Sequence, residues 1–229
     1  MRVMVVGDIH RGFGEFNELL NKRKPEIVLQ CGDFGYWPRE PIENIYGHNR
    51  LKFRPERPAP KVHTGTLVFW CDGNHEDHQE LILRDTDELW PNTWYMPRGS
   101  LLDLPDGRRV MFFGGASSVD RNTRTQGVDW FPEEVIRYSD ITNIAYEGPI
   151  DIVISHTCPQ EFDVNPGRKE EGYYKDPSRQ ALSYILRHYS PRLWYFGHWH
   201  KYMTGYDSGC RWTCLSHPNA GKWWEYLKD

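Results

Sequence analysis

Side chains able to bind metal follow five short apolar runs in this chain of 229 residues. Apolar runs that stop at a glycine or a polar residue are typical of buried strands. In open α/β sheets the carboxyl ends of the strands form the crevice that binds ligands. Asp, Asn and His side chains brought together there predict a mixed nitrogen and oxygen site for divalent metals. The runs are 3–6, 27–30, 67–71, 150–154 and 193–196, and they lead into Gly7-Asp8-Ile9-His10, Gly32-Asp33, Gly73-Asn74-His75-Glu76, Ser155-His156-Thr157 and Gly197-His198-Trp199-His200.

The spacing of these residues suits two metal ions that share one carboxylate. Asp8 and His10 are two residues apart at a strand end, as are His198 and His200, so each pair can face one pocket. The two predicted ligand sets are Asp8, His10, Asp33 and His200 for one metal, and Asp33, Asn74, His156 and His198 for the other.

Charge predicts what such a site would bind. Two divalent ions bring four positive charges, Asp8 and Asp33 return two, and a bridging hydroxide returns one more. The remaining positive charge favours an anion, and phosphate can span two metals that are about 3.5–4 Å apart. The metal pair also lowers the pKa of a bridging water and so supplies the nucleophile. His75 is not needed as a ligand, and we expect it to protonate the departing alkoxide as the general acid.

Each motif taken alone also has a purely structural explanation. Glycine beside a polar residue at a strand end is ordinary turn chemistry. A single Asp-x-His or His-x-His is most often a surface or hydrogen-bonded polar pair. The occurrence of five motifs, each at the end of an apolar run, favours the metal site.

The ordered set of motifs resembles the calcineurin-like metallophosphoesterase family over about residues 1–220. The resemblance implies a four-layer α/β/β/α sandwich, two divalent metals on the ligand sets given above, and His75 as the catalytic histidine. It implies manganese as the metal, with iron and zinc as alternatives. The stretch 114–121 with Arg124, Gly127 and Trp130 resembles small bacterial and phage members of the family.

One departure from the family bears on the substrate. Its protein serine/threonine phosphatases follow the second motif with Val-Asp-Arg-Gly, whereas Asp33 is followed here by Phe34-Gly35-Tyr36-Trp37. We therefore expect a phosphodiesterase that acts on small or cyclic nucleotides rather than on phosphoproteins. A phosphomonoesterase or a nuclease of the same family is the alternative, although a net charge of −4 gives no overall basic field for long nucleic acid. A non-catalytic scaffold of the same fold is the alternative of another class, and His75 counts against it.

Three residues outside the ligand sets are candidates for substrate binding. Arg121 and Arg124 follow a Gly-Gly turn, and arginine forks match phosphate oxygens, although both residues also suit a solvated loop. Trp37 is a candidate for stacking on a nucleobase. Glu76 is interpreted as a helix cap or as a residue that orients His75, and His217 as a wall of the site or as packing against a turn.

We expect one metallophosphoesterase domain over residues 1–229, with insertion loops at about 36–62 and 161–176. Prolines in the first loop forbid most regular structure there. Helices are predicted near 15–22, 77–84 and 177–188, from Pro132 onward, and from Asp140 to Tyr146. Asp106-Gly107 predicts a hairpin turn, and 201–227 predicts short strands.

The sequence predicts a cytoplasmic protein without a membrane partner. It has no run of 18 apolar residues, and its first ten residues hold too short an apolar stretch for a signal peptide. Cys31 and Cys71 are expected to pack in the core. Cys210 and Cys214, in an apparent hairpin, leave a disulfide or a zinc clip open.

Overall fold

Two six-stranded sheets form the centre of the fold, in a computed structural model that describes residues 1–42, 50–53, 59–166 and 176–228. The first sheet has the order β14 (Trp224–Tyr226), β1 (Val3–Val6), β2 (Ile27–Gln30), β5 (Leu67–Trp70), β7 (Thr93–Tyr95) and β6 (Glu88–Trp90). The second has the order β12 (Met203–Asp207), β13 (Cys210–Cys214), β11 (Leu193–Phe196), β10 (Ile152–Ser155), β9 (Arg109–Phe113) and β8 (Ser100–Asp103). In both sheets the inner strands are parallel and the edge strands antiparallel.

The side-chain alternation along the strands separates four layers. Val3 and Val5 belong to a buried cluster shared with Val110 and Ile154 of the second sheet, so that face of β1 packs between the sheets. Met4 and Val6 point the other way, into a cluster with residues of α1 (Phe13–Arg23). On the far side of the second sheet, a third cluster joins β10 and β11 to α3 (Tyr138–Thr142) and α4 (Pro177–Tyr189). The predicted α/β/β/α sandwich is confirmed.

The helices begin and end where local chemistry dictates. In α1, Phe13, Phe16, Leu19 and Leu20 are buried, with Glu15 in the first turn and Lys22 and Arg23 in the last, which complements the helix dipole. Asp77 caps α2 (His78–Leu83), and Asp176 caps α4, which has proline at its first position. These helices agree with the predictions from the sequence to within two residues.

Other local predictions were wrong. Pro132–Glu134 forms only a 3-10 turn, and α3 begins at Tyr138 rather than after Asp140. Asp140 is instead the third residue of α3, and its carboxylate accepts a hydrogen bond from the backbone nitrogen of Arg137 at 2.9 Å, which satisfies a free donor at the start of the helix. The first insertion is not free of regular structure, because β3 (Arg39–Ile42) and β4 (Arg50–Phe53) pair as an antiparallel ribbon. Proline is tolerated in such a ribbon because the backbone position that lacks an N–H donor can face solvent instead of the partner strand.

The cysteines lie in the core, and no bond joins them. All five are free and buried. Cys210 and Cys214 lie four residues apart on the same strand, β13, and face the cluster under α4; at a rise of about 3.3 Å per residue this separation, about 13 Å, is too long for a disulfide or for two ligands of one zinc ion. Burial raises the pKa of both thiols, which favours the uncharged form in that environment. Within the described part of the chain, the helices are too short or too polar to cross a bilayer.

Candidate metal centre

The ends of the parallel strands bring the predicted ligands to one edge of the two sheets. Val6, Gln30 and Trp70 lie in register at the carboxyl ends of β1, β2 and β5. The segments carrying Asp8, Asp33 and Asn74 therefore leave the first sheet at the same level. In the second sheet, His156 follows β10 and His198 follows β11, which are parallel neighbours.

The first predicted ligand set is assembled in space. One ligand atom from each of Asp8, His10, Asp33 and His200 lies within 4.8 Å of the others. Nε2 of His200 lies 3.0 Å from Nε2 of His10 and 3.3 Å from Oδ2 of Asp8. Asp8 and Asp33 are buried, whereas the side chains of His10 and His200 are 30% and 46% exposed, so the set is open to solvent on its histidine side.

The second predicted set converges on the amide oxygen of Asn74. Oδ1 of Asn74 lies 3.0 Å from Nε2 of His156 and 3.0 Å from Nδ1 of His198. Nδ1 of His156 lies 2.8 Å from the carbonyl oxygen of Cys31 and donates to it, which leaves Nε2 as the ligand nitrogen. All three side chains therefore present their ligand atoms to one small volume.

Asp33 contacts both sets. Its Oδ2 lies 3.6 Å from Nε2 of His10 in the first set and 3.3 Å from Nε2 of His156 in the second. Its Oδ1 accepts a hydrogen bond from the backbone nitrogen of His75 at 2.8 Å, which fixes the orientation of the carboxylate.

These separations and donor types fit divalent metal. With metal–ligand distances of about 2.1 Å, neighbouring ligand atoms lie about 3.0 Å apart in an octahedral shell and about 3.4 Å apart in a tetrahedral one. The separations within the two sets run from 3.0 Å to the 3.9 Å between Nε2 of His10 and Oδ2 of Asp8, and this range includes both values. Imidazole, carboxylate and amide oxygen together suit a borderline or hard cation rather than a soft one.

Electrostatics at the centre reflect two buried carboxylates beside histidines. Burial alone would raise the pKa of Asp33, but His156, His75 and His10 hold it well below its usual value. Burial would lower the pKa of His156, but Asp33 and Asp8 raise it to about 10. Burial, with the neighbouring His156, lowers the pKa of His198 to about 3. The carboxylates therefore require a cation, and a metal ion competes with the proton of His156 for that role.

The glycines of the motifs make room for the ligands. A Cβ atom at Gly197 would lie 1.8 Å from Oδ1 of Asp8, and one at Gly73 would lie 2.1 Å from Oδ1 of Asp33. Any other residue would displace a carboxylate on the neighbouring loop. This close approach explains why glycine stands directly before His198 and Asn74.

The backbone is strained at several predicted ligands. His10, Asp33, His198 and His200 have φ angles of 44°, 52°, 66° and 50°. Such left-handed conformations cost non-glycine residues about 1–3 kcal/mol and cluster at functional sites. In each case the strand has just ended, and the turn directs the side chain back toward the centre.

Ser118 and Glu134 hold the amide of Asn74, a role that sequence reasoning missed. Nδ2 of Asn74 donates to Oγ of Ser118 at 3.0 Å, and that hydroxyl donates to Oε2 of Glu134 at 2.8 Å. Oε1 of Glu134 accepts from the backbone nitrogen of Ser118 at 2.6 Å. Because the amide nitrogen is engaged, Oδ1 of Asn74 must face His156 and His198. Ser118 lies in the stretch 114–121, which the sequence marked only by its resemblance to small bacterial and phage members of the family and not as a contact of Asn74.

His75 lies beside the centre, in contact with two of the three predicted substrate-binding residues. Nη2 of Arg124 is 3.0 Å from Nε2 of His75. Nε1 of Trp37 donates to the carbonyl oxygen of His75 at 2.7 Å, and the indole ring packs against Phe131. Arg121 lies in the exposed turn Arg121–Thr123, away from these contacts.

Other residues singled out in the sequence have different surroundings. Glu76 does not cap α2, because Asp77 does. Its carboxylate accepts from the backbone nitrogens of Gly35 at 3.0 Å and Gly73 at 2.8 Å, which joins the loops after β2 and β5. The ring of His217 lies against His200 and His10, with centroids 4.7 and 6.1 Å apart, so it forms part of the wall of the site.

The order of ligands along the chain also identifies a family. The calcineurin-like phosphoesterase family matches residues 1–202. The chain belongs to this family. The family prediction is confirmed, and with the Asp/His cluster it supports a metal-dependent phosphoesterase.

Solved structures agree on the fold of this phosphoesterase. One crystal structure shows a protein that is 13% identical in sequence, and the match covers 99% of this chain and 94% of the other chain, with a TM-score of 0.60. The protein TT1561 of Thermus thermophilus is 10% identical, and the match covers 94% of this chain and 89% of the TT1561 chain, with a TM-score of 0.55. At these identities the likeness concerns the fold. A search of curated proteins finds no match.

Proposed function

We propose that this phosphoesterase uses two divalent metals, held by the two ligand sets that share Asp33. The observation that carries the proposal is the position of Oδ2 of Asp33, 3.6 Å from His10 and 3.3 Å from His156. A carboxylate within reach of both sets can bridge two ions. When bound, such ions supply Lewis-acid charge and an activated water as the nucleophile.

The residues around the centre have separate proposed roles in the reaction. Asp8 and Asp33 are buried and orient the histidines, while His10 and His200 border the open side, where an ester can enter. Arg124 offers guanidinium donors to the phosphate oxygens. His75 is proposed as the proton donor to the leaving oxygen, since its ring lies against His10, with centroids 5.1 Å apart.

The finer proposal is hydrolysis of phosphodiesters of small or cyclic nucleotides, with manganese as the metal and iron or zinc as alternatives. Its support is the replacement of Val-Asp-Arg-Gly by Phe34-Gly35-Tyr36-Trp37 and the half-buried indole of Trp37 beside His75. Phe34 itself packs in the core and adds no surface for a base. The aromatic surface offered to a substrate is therefore narrower than the sequence predicted.

We further propose one domain over residues 1–229 in a reducing cytoplasm. β14 near the end of the chain pairs with β1 at its start, which favours a single folding unit. The buried free thiols fit a reducing compartment. Of the proposed insertions, 36–62 and 161–176, residues 43–49, 54–58 and 167–175 lie outside the described residues.

A substrate screen with metal analysis tests the function. Protein loaded with manganese, iron or zinc is assayed on phosphomonoesters, linear diesters and cyclic nucleotides, and bound metal is counted by elemental analysis. We expect about two metals per chain and faster turnover of diesters. One metal per chain contradicts the shared-carboxylate assignment, whereas faster turnover of monoesters contradicts only the diester preference.

A further inference from the structure

A second concave site lies at the amino-terminal ends of the parallel strands of the second sheet, opposite the carboxyl ends that carry the metal ligands. A cavity of about 230 Å³ opens there between strand ends. Ile152 and Leu193, which belong to the cluster between the sheets, contribute apolar surface to its wall. Because Ile152 begins β10 and His156 follows its end, the cavity is about 13 Å from the metal ligands at a rise of about 3.3 Å per residue. It is therefore a separate site.

Arginines at the starts of three strands of the second sheet line this cavity. Arg108 precedes β9, Arg192 precedes β11 and Arg211 lies on β13, and all three contribute to the wall. The backbone nitrogen of Arg211 donates to the carbonyl oxygen of Arg192 at 3.0 Å. Both side chains contribute to the wall of the same cavity, so both can reach one anion bound there. Such a cluster is a local exception in a chain of net charge −4.

Two of the three guanidinium groups are available to a ligand. Arg108 is engaged with Oδ2 of Asp106 at 2.7 Å and with the carbonyl oxygen of Lys228 at 2.7 Å. Arg192 and Arg211 are exposed, and within the described residues neither is paired with a carboxylate. Asp151 also lines the cavity, but its Oδ2 already accepts from the backbone nitrogen of Arg109 at 2.8 Å.

The same cavity offers an aromatic surface. Tyr206 is the cross-strand partner of Arg211 in the β12–β13 ladder, so the two side chains lie on the same face of the sheet. Its side chain is 73% exposed although it lines the cavity. An exposed ring next to apolar side chains suits a planar base, while arginine forks suit phosphate.

We propose that this cavity binds a mononucleotide, with its phosphate on Arg192 and Arg211 and its base against Tyr206. The site would hold a nucleotide without hydrolysing it, because the metal ligands lie at the other edge of the sheet. The proposal does not depend on which ester the metal centre cleaves.

Calorimetric titration of the full chain with adenosine 5′-monophosphate tests the proposal, with manganese present and after chelation. We expect saturable binding that survives chelation, since binding at the metal centre requires metal. Arg192→Ala combined with Arg211→Ala should weaken binding at least tenfold. Arg187→Ala, an exposed arginine on α4, is the matched control and should leave binding unchanged. Tyr206→Ala should weaken the binding of the nucleotide more than the binding of inorganic phosphate.

Melting temperature and circular dichroism check that each variant is folded, and the single arginine variants replace the double one if it is not. Three results would overturn the proposal. They are the absence of saturable binding after chelation, unchanged affinity in the folded arginine variants, and equal affinity for inorganic phosphate and the nucleotide. The last result would mean that no base is recognised.

Discussion

Arg124 donates to His75, with Nη2 of the guanidinium 3.0 Å from Nε2 of the imidazole. A guanidinium has no acceptor, so Nε2 of His75 accepts and the ring proton lies on Nδ1. Burial, with a contribution from Arg124, lowers the pKa of His75, while Asp33 opposes this effect. The resting histidine is therefore neutral at pH 7, and proton donation from Nε2 requires that Arg124 release that nitrogen to a substrate.

Replacing Arg124 should change both the rate and its pH dependence. Loss of a charged hydrogen bond to phosphate is worth about 1.5–3 kcal/mol, so Arg124→Ala should lower kcat/KM roughly 10–150-fold. Arg124 lowers the pKa of His75, so the alanine variant should have a higher value. If protonated His75 is the acid, the alkaline limb of the kcat/KM profile must then move to higher pH. Steady-state profiles from pH 5 to pH 10 measure both effects.

Arg121→Ala is the matched control, because Arg121 is exposed on the same loop. It should retain wild-type kinetics. Arg124→Lys should rescue only part of the loss, since lysine keeps the charge but not the fork. Unchanged kinetics in Arg124→Ala would mean that the loop is structural and that the metals alone provide the positive field.

His75→Ala should retain metal and lose most of its turnover. The bond to Asp33 comes from the backbone nitrogen of residue 75, which alanine keeps, so the ligand sets should remain in place. Loss of a general acid costs about 10²–10⁴-fold. The loss should shrink for a nitrophenyl ester, whose leaving group needs no proton. Release of metal, or an equal loss for good and poor leaving groups, would contradict the acid role.

Ser118→Ala should lower the affinity for one metal ion more than the affinity for the other. The hydroxyl orients Asn74, which is a proposed ligand of the second metal only. Loss of such an orienting contact typically costs about 10–100-fold in metal affinity. Competition with a chelator should show one weakened and one unchanged site. Ser117→Ala is the control, because Ser117 bonds to Asp176 instead. Equal weakening of both sites would contradict the division into two ligand sets.

The ligands were predictable because their positions depend on local signals. Apolar runs that stop at glycine or a polar residue located β1, β2 and β11 with the bounds that the structure has, and β10 within two residues. Parallel pairing then places their ends at one edge. His10 and His200 are 190 residues apart in sequence, yet their Nε2 atoms are 3.0 Å apart for this reason.

What the sequence could not predict depends on long-range contacts between residues of unremarkable type. Ser118 and Glu134 are not ligand residues, and their link to Asn74 is visible only after folding. The choice between Arg121 and Arg124 depends on a loop without periodicity. The β3–β4 ribbon was missed because proline is weighed as a breaker, although a two-stranded ribbon leaves one side of each strand unpaired.

Trp37 has two separable contributions. Its indole nitrogen holds the carbonyl oxygen of His75, and its ring is the candidate surface for a base. Trp37→Phe keeps a ring but loses the hydrogen bond, which is worth about 0.5–1.5 kcal/mol, so kcat should fall roughly 2–12-fold for all substrates. Trp37→Ala should also raise KM for a nucleotide diester but not for a small aryl diester, because stacking is worth about 1–3 kcal/mol per base. Equal KM values for the two substrates in Trp37→Ala would exclude stacking.

His78 should make the fold sensitive to acid. Its side chain is buried, and within the described residues its Nε2 atom has no hydrogen-bond partner. Burial lowers its pKa to about 4, although Asp72 opposes this effect. The value in the unfolded chain is about 6.5. Between these values the unfolded state binds the proton and the folded state does not, so stability is lost as pH falls from about 6.5 toward 4.

Urea unfolding of chelated protein at pH 7 and pH 5 measures this loss. The free energy of unfolding of the wild type should fall by about 2 kcal/mol more than that of His78→Gln, because glutamine does not titrate. Carboxylates that titrate in this range are common to both proteins, so their contributions cancel in the comparison. His188→Gln is the control, since His188 is exposed on α4, and it should follow the wild type. Parallel pH dependence in the wild type and His78→Gln would mean that the folded protein accommodates a charged His78.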